Sequence, residues 1–316
     1  MNRFKKVIFG LFLPFLMVGC STSQNQRAQD SGKLKVVSTT AQIGDLVSSV
    51  GGDRIDHWVL IRGDLDPHSY EIVKGDGERL QRADLIFYNG LGLEHGASLS
   101  AFLRASPKAT PVGEKISHAC PDRILKRGEV VDPHIWMDIS LWQKGIDPIV
   151  EALSQVDPEG SLLYRERGAL LAQKMEAAHA EVFARLQKIP SEKRYLVTSH
   201  DAFHYFTRSY LADVGETHWA ERFAAPEGLA PEGQLNPRDI QKIIDYLRDK
   251  NISVLFPESN VSRDSIRKIA TAGRELGLEI HICSEPLYGD AMSGLAYLDM
   301  MRSNAETIAK YLWNTQ

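Results

Sequence analysis

The chain has 316 residues, of which 43% are hydrophobic, 25% charged and 8% aromatic. This ordinary globular composition can fill one large or two medium cores, and it excludes disordered, collagen-like and coiled-coil classes. Lysine and arginine number 37 against 41 aspartates and glutamates, for a net charge of −4. No long basic run lies beyond the first few residues, so the charge pattern of a nucleic-acid-binding protein is missing.

The first residues predict an exported protein. A basic start that includes Arg3 precedes an apolar run over residues 7–18, which ends at Gly19-Cys20. A charged start, a short apolar stretch and a small residue before the cut describe a secretory signal. The run is shorter than the roughly 20 residues that span a bilayer. We therefore expect residues 1–19 to be removed as a signal peptide, leaving a periplasmic or otherwise extracytoplasmic protein.

Gly19-Cys20 resembles a bacterial lipobox, in which Cys20 becomes the lipidated first residue of the mature chain. Plain cleavage nearby, with a soluble product, is the alternative. Residues 20–33 are polar and poor in apolar side chains, which predicts a tether. Loss of residues 1–19 removes three basic residues and no acidic one, so the mature charge is −7.

Two further cysteines remain, Cys120 and Cys283. In an oxidising compartment two such thiols are candidates for a disulfide. The distance between their Cα atoms decides the matter and is not readable from a sequence. A disulfide and two free thiols therefore both stay open.

The predicted elements of the first part alternate between strand and helix. Strands are predicted for residues 34–38, 55–61 and 85–88, and a helix for residues 43–50. Such alternation favours a mainly parallel sheet that is covered by helices on both faces.

After residue 157 the pattern changes to that of one long helix. The apolar positions recur every three or four residues and are Leu171, Met175, Ala178, Val182 and Leu186. Pro190 ends the pattern. A helix that starts near Ser161 would be roughly 40 Å long at 1.5 Å per residue, long enough to bridge two lobes.

The alternation then resumes, with strands over residues 195–198, 253–256 and 279–283 and helices over residues 239–248, 265–276 and 297–312. The sequence thus predicts an α/β fold of two lobes, each a mainly parallel sheet flanked by helices, joined by one long rigid helix. The predicted boundaries are residues 34–158 for the N-terminal lobe, 159–190 for the connecting helix and 191–316 for the C-terminal lobe.

Three histidines stand where predicted strands give way to loops, which is where α/β folds place ligands. His68 and His134 each follow an Asp-Pro pair, and His200 directly follows a strand. Proline stiffens the loop that presents each imidazole, and a nearby carboxylate can accept the second ring N–H. A lone histidine is more often structural. Three at equivalent positions in an exported protein favour metal ligation, because imidazole is the commonest metal ligand.

Four motifs, in this order, resemble those of the metal-binding substrate-binding proteins of ABC importers, the manganese, zinc and iron receptors called the cluster A-I family. They are Asp66-Pro67-His68-Ser69-Tyr70-Glu71, Asn89-Gly90-Leu91-Gly92-Leu93-Glu94, Asp132-Pro133-His134-Ile135-Trp136-Met137-Asp138 and Thr198-Ser199-His200-Asp201-Ala202-Phe203. The similarity runs from about residue 34 to the C terminus. It implies a monomeric receptor, not an enzyme, that delivers iron, manganese or zinc to an ABC permease with a cytoplasmic ATPase.

The resemblance also implies four protein ligands, two from each lobe. His68 and His134 match the N-terminal positions, and His200 matches the first C-terminal one. Asp290, in a loop after the last predicted strand, matches the fourth. Glu258 matches a family carboxylate that we interpret as contacting a ligand side chain and not the metal itself. The alternative is an acidic residue exposed in a loop.

Three imidazoles and one carboxylate suit divalent zinc, manganese or iron, and affinity order alone favours zinc. Zinc receptors of this family often carry a histidine-rich loop before the second ligand motif, whereas residues 115–131 contain only His118. An aspartate as fourth ligand resembles the manganese and iron branch, which commonly has glutamate where His200 stands. The metal stays open. Because each imidazole must be neutral to ligate, we expect acid to weaken binding.

Two other classes remain as alternatives. The run from His200 to His204 imitates the His-Glu-x-x-His motif of zinc hydrolases, with Asp201 in place of glutamate, but His200 is predicted to precede the helix. A purely structural lipoprotein would need no convergent histidines.

The glycines of residues 90–96 have the wrong spacing for a dinucleotide loop. Residues 213–236 are interpreted as an unusually long surface loop.

Overall fold

The structure is a computed structural model and describes residues 32–230 and 236–314. The predicted signal peptide and nearly all of the predicted tether, with Cys20, lie outside the described residues. None of the described helices is both long and apolar enough to cross a membrane.

Four parallel strands form the sheet of the N-terminal lobe, in the order β2–β1–β3–β4. They are Leu34–Ser38 (β1), Ile55–Val59 (β2), Leu85–Tyr88 (β3) and Ala109–Pro111 (β4). The register places Val36 opposite both His57 and Leu85. The helices that follow these strands are Ala41–Gly51 (α1), Asp76–Arg82 (α2), Ala97–Ala105 (α3) and Val112–Ala119 (α4).

Helix α1 illustrates why these segments fold as they do. Thr40 precedes it in extended conformation, and its side chain accepts a hydrogen bond from the backbone N of Ile43, as helix N-cap residues do. Ile43, Leu46, Val47 and Val50 are fully buried and share one face at helical spacing, so the helix is held against the sheet by this apolar stripe.

A short antiparallel hairpin and two helices complete the N-terminal lobe. The hairpin pairs Lys126–Arg127 (β5) with Val130–Val131 (β6). The helices are Ile139–Trp142 (α5) and Ile146–Val156 (α6).

One helix of 26 residues, Ser161–Leu186 (α7), follows. The apolar positions that predicted it are all buried, together with Tyr164 and Gly168. It ends four residues before Pro190, which agrees with the predicted stop.

The C-terminal lobe has two parallel strand pairs, β7 with β8 and β9 with β10, which are joined by a hydrogen bond from Phe256 N to Val197 O. The strands are Leu196–Val197 (β7), Phe223–Ala224 (β8), Val254–Leu255 (β9) and His281–Ile282 (β10). The helices are His204–Phe206 (α8), which continues as a π-helix over Thr207–Leu211, then Pro237–Asp249 (α9), Asp264–Glu275 (α10) and Tyr297–Asn314 (α11).

Helix α7 packs against α1 and α6 of the N-terminal lobe and against α11 of the C-terminal lobe. One buried core therefore runs along it from Leu46 through Met175 to Ile308. The predicted fold class of two α/β lobes joined by a long helix is confirmed, while the exact lobe boundaries stay predictions.

One sequence interpretation needs correction, and one open question is answered. Residues 213–236 are not simply a surface loop, because β8 lies within them and pairs with β7, with Phe223 buried. Cys120 and Cys283 are both free thiols, so the considered disulfide is not formed. Cys120 follows α4 and Cys283 follows β10, which places them in different lobes.

Candidate metal centre

Four side chains from separate loops converge between the two lobes. His68 lies in the loop after β2, His134 after β6, His200 after β7 and Asp290 after β10. All four are buried, with at most 4% of any residue exposed. Each offers a ligand atom within 4.8 Å of the others. The structure thus brings together the four residues that the sequence singled out as metal ligands.

The three imidazoles meet through their Nε2 atoms around one carboxylate. Asp290 Oδ2 lies 3.1 Å from His200 Nε2 and 3.5 Å from His68 Nε2, and Asp290 Oδ1 lies 3.4 Å from His134 Nε2. The Nε2 atoms of His68 and His134 are 3.3 Å apart. Three nitrogens and a carboxylate that face a common point form a donor set suited to a first-row divalent metal.

Two buried carboxylates hold the far side of two of these rings. Asp132 Oδ1 lies 2.8 Å from Nδ1 of His134, and Glu258 Oε2 lies 2.8 Å from Nδ1 of His200. Glu258 Oε1 also accepts a hydrogen bond from the backbone N of His200 at 2.8 Å. A carboxylate on Nδ1 fixes the ring orientation and leaves Nε2 free to bind. Glu258 is 1% exposed, so the alternative of an exposed loop acid is wrong.

His68 is supported differently. Asp66 Oδ1 accepts from the backbone N of His68 at 2.9 Å, and Asp66 Oδ2 accepts from the Ser69 hydroxyl at 2.5 Å. The carbonyl of His68 accepts from the backbone N of His95 at 3.2 Å and of Gly96 at 3.1 Å. The loop of His68 is therefore held through its backbone on both sides.

His200 and Asp290 each stabilise the charged form of the other. Burial opposes charge on His200, but the carboxylates of Glu258 and Asp290 raise the pKa of His200 well above its usual value. Burial also opposes charge on Asp290, yet His200, together with hydrogen bonding to His68, holds the pKa of Asp290 well below its usual value. A cation that took the place of the His200 proton would meet a carboxylate that is already ionised.

The zinc-hydrolase arrangement is not formed at residues 200–204. Helix α8 begins at His204, so His200 precedes the helix and the two residues do not share a helix face. Nδ1 of His204 lies 2.7 Å from Asp201 Oδ1, and its ring packs edge-on against Phe223 at 4.7 Å. His204 therefore makes its contacts with Asp201 and Phe223, and the prediction that His200 precedes the helix is confirmed.

Sequence reasoning missed two residues that contact the Asp290 loop from the N-terminal lobe. Gln42, on α1, donates a hydrogen bond to the carbonyl of Asp290, and Trp136, two residues after His134, donates one to the carbonyl of Gly289. Trp136 lies inside the motif of His134, which could have drawn attention to it, whereas nothing in the sequence around Gln42 pointed to a role there.

A two-lobed α/β chain with a buried cluster of three histidines and an aspartate between its lobes is built like a metal receptor of an ABC importer. Residues 36–311 match the family model described as "ZnuA: Zinc-uptake complex component A periplasmic". The chain belongs to this family, and the resemblance noted from its motifs is confirmed.

Known relatives agree with this assignment. The chain is 37% identical over 322 residues to the metal-binding protein YtgA of Chlamydia trachomatis, which covers 99% of this chain and 97% of the relative. It is 30% identical to the manganese-binding lipoprotein MntA of Bacillus subtilis, over 96% and 97% of the two chains. The crystal structure of Fe(III)-bound YtgA from Chlamydia trachomatis superposes with a TM-score of 0.85 at 36% identity, covering 90% of this chain and 99% of that one.

The family is one of metal-binding transport receptors and not a family of enzymes. Its members are extracytoplasmic components of ABC importers, so a membrane permease with its ATPase is the partner that the family implies. The hydrolase alternative is therefore not favoured.

Proposed function

We propose that this chain captures an iron, manganese or zinc ion outside the cytoplasm and delivers it to an ABC permease, with His68, His134, His200 and Asp290 as the ligands. The observation that carries the proposal is the convergence of three Nε2 atoms on the Asp290 carboxylate at 3.1–3.5 Å in a buried site. Burial of several ionisable groups together is costly, and a bound cation would offset that cost.

Asp132 and Glu258 act on the ion through the histidines they contact. Each accepts the Nδ1–H of its imidazole, which makes the ring a better donor at Nε2 and holds it in place. Capture of the ion displaces the proton from His200, because Nε2 cannot carry a proton and ligate at once. The transported ion is the cargo of the protein, and four protein ligands leave little room for a reacting molecule.

Iron is the first ion to test. The donor set also accepts manganese and zinc, and the relatives named above include a manganese-binding lipoprotein. The Fe(III)-bound structure of YtgA, at 36% identity, supports trying iron before the other two ions.

The N-terminal segment is proposed to export and anchor the receptor. Residues 1–19 act as the signal peptide, Cys20 carries the lipid and residues 20–33 form the tether, with the receptor a monomer. Mass spectrometry of the mature chain tests this proposal, and Cys20→Ala should move the protein from the membrane fraction to the soluble fraction. Retention of the variant in the membrane fraction would contradict lipid anchoring.

The binding proposal is tested by calorimetry. Residues 21–316, prepared metal-free, are titrated anaerobically with Fe(II), Mn(II) and Zn(II), alongside His68→Ala, Asp290→Ala and the control His281→Ala, whose histidine is exposed on β10. We expect tight one-to-one binding by the wild type and by the control, and its loss in the other two variants. Binding that is indifferent to His68→Ala and Asp290→Ala would show that the site is elsewhere.

A further inference from the structure

We infer that Gln42 and Trp136 of the N-terminal lobe are positioning residues. They hold the Asp290 loop where the carboxylate of Asp290 can bind the ion, and they slow dissociation of the ion. The inference rests on the proposed function, since it concerns release of the ion from the same site. It concerns residues that do not themselves touch the ion.

Gln42 reaches across from α1 to the backbone of the ligand itself. Its Nε2 donates to the carbonyl oxygen of Asp290 at 2.8 Å and lies 3.5 Å from that of Gly289. Gln42 is 1% exposed, so its amide has no ready access to water. This bond joins the N-terminal lobe to the ligand loop across 248 residues of sequence.

Trp136 makes the second attachment. Its Nε1 donates to the carbonyl of Gly289 at 2.9 Å, while its own carbonyl accepts from the hydroxyl of Tyr297, on α11, at 2.6 Å. Its ring also packs edge-on against the imidazole of His134, with 5.2 Å between ring centroids. Trp136 therefore contacts one ligand directly and the loop of another through a hydrogen bond.

Gly289 is crowded on its other side, which keeps the loop from shifting deeper into the C-terminal lobe. A Cβ at this position would lie 2.5 Å from Glu258 Oε2 and 3.4 Å from the His200 ring. The loop is thus packed against the supports of His200 on one face and bonded to Gln42 and Trp136 on the other. Because the loop has no room to shift deeper into the C-terminal lobe, it must move together with that lobe, and separation of the two lobes would break both bonds.

The carboxylate of Asp290 contacts His68 and His134 while the carbonyl of Asp290 accepts from Gln42 and the carbonyl of Gly289 accepts from Trp136. Release of the ion requires Asp290 to move away from those two histidines, and both bonds must then break. Each bond leaves a buried donor unsatisfied when it breaks, which opposes that movement. The two residues should therefore slow dissociation and leave association nearly unchanged.

The test compares Trp136→Phe and Gln42→Met with wild type, because both substitutions keep most of the side-chain volume and remove the donor. Trp142→Phe is the matched control. Trp142 is equally buried and lies on the same core, but its Nε1 has no hydrogen-bond partner within residues 32–230 and 236–314. Co(II) is the probe, because its visible absorption reports the ligand geometry directly.

Association is followed by stopped-flow absorption and dissociation by addition of excess chelator. We expect both variants to bind one Co(II), to release it about 10-fold faster than wild type and to associate within about twofold of it, in line with the effect of groups that orient metal ligands. Their Co(II) absorption should also change, since Asp290 is less firmly placed. Trp142→Phe should match wild type in all three measurements.

The outcomes distinguish failure of the inference about Gln42 and Trp136 from failure of the proposed metal-binding function. A wild type that binds no Co(II) overturns the proposed function and the inference with it. A wild type that binds, with dissociation from both variants no faster than from Trp142→Phe, overturns the inference alone. Gln42→Met is a second, independent reading should Trp136→Phe fail to fold, because the two residues lie on different elements.

Discussion

The loops 66–68 and 132–134 present their histidines to the same carboxylate, yet their aspartates do different work. Asp66 accepts from the backbone N of His68 and from the Ser69 hydroxyl, so it shapes the loop. Asp132 accepts from the backbone N of His134 at 3.0 Å and also from the ring Nδ1 at 2.8 Å. The aspartate of the Asp-Pro-His triplet thus fixes the backbone but not the imidazole ring in the loop of His68, whereas in the loop of His134 it fixes both the backbone and the imidazole ring.

The surroundings of the two loops differ as well. The carbonyl of His68 is held by backbone N–H groups of His95 and Gly96. The carbonyl of Pro133 accepts from the Asn89 side chain at 3.1 Å. A motif that repeats in the sequence therefore need not repeat in its contacts, and equal substitutions in the two loops should have unequal consequences.

The largest effect on metal binding should come from removal of either histidine, and here the two loops should behave alike. His68→Ala and His134→Ala each remove one of four ligands, and we expect both to abolish tight one-to-one binding in calorimetric titrations. Tight binding retained in only one of the two variants would show that the ion is held asymmetrically, with one imidazole outside its ligand set.

The aspartates should separate the loops. Asp132→Asn removes the carboxylate that orients His134, and we expect metal affinity to fall about 10–100-fold. Asp66→Asn keeps an oxygen that can accept from the backbone of His68, so affinity should change by less than about threefold, as the Asp66 contacts do not reach the ring. Calorimetry on the two variants checks this, and equal losses would contradict the assigned difference.

The pH dependence extends the comparison to the third histidine. Because Glu258 and Asp290 raise the pKa of His200 well above its usual value, the metal-free site keeps a proton that the ion must displace. Apparent affinity should therefore fall as pH is lowered, by about one log unit per pH unit for each proton displaced.

Glu258→Gln removes one of the two carboxylates that favour the protonated ring, so the pKa of His200 falls and the loss of binding should move to lower pH. Titrations in two buffers of different ionisation enthalpy count the released protons and check the sign. A shift to higher pH in this variant would contradict the role given to Glu258.

The smallest effects should be on stability. A Cβ at Gly96 would lie 2.0 Å from the carbonyl oxygen of Tyr70, so Gly96→Ala should destabilise the first loop by about 1–3 kcal/mol, the usual cost of overpacking. Asn89→Ala removes the hydrogen bond to the carbonyl of Pro133 in the second loop, and a lost buried hydrogen bond costs about 1–3 kcal/mol.

Denaturant unfolding of the metal-free variants measures the free energy of unfolding in both cases. Gly63→Ala is the comparison for backbone strain alone, because a Cβ at Gly63 would meet no neighbour within 4 Å while its φ is +65°.

Local patterns predicted the elements that local forces dominate. Strands β1 and β3 have the predicted ends, because most of their residues are buried and the strands are bounded by polar segments. Helix α7 was readable from its apolar stripe and the proline after it. The strands of the C-terminal lobe are only two residues long, shorter than predicted, because their pairing depends on neighbours distant in the chain.

Periodicity in the sequence was enough to predict the α/β class and the long helix, because local patterns dictate them. The loop positions of His68, His134 and His200 indicated metal ligation, whereas Asp290 and Glu258 were predicted only from the resemblance of the ordered motifs to a known family. The pairing of carboxylates with rings, Asp132 with His134 and Glu258 with His200, became visible only in the folded chain. The same is true of the bonds of Gln42 and Trp136 to the Asp290 loop. The bonds of Gln42 and Trp136 span 248 and 153 positions of the sequence, so they depend on how the two lobes pack, and no local pattern records that packing.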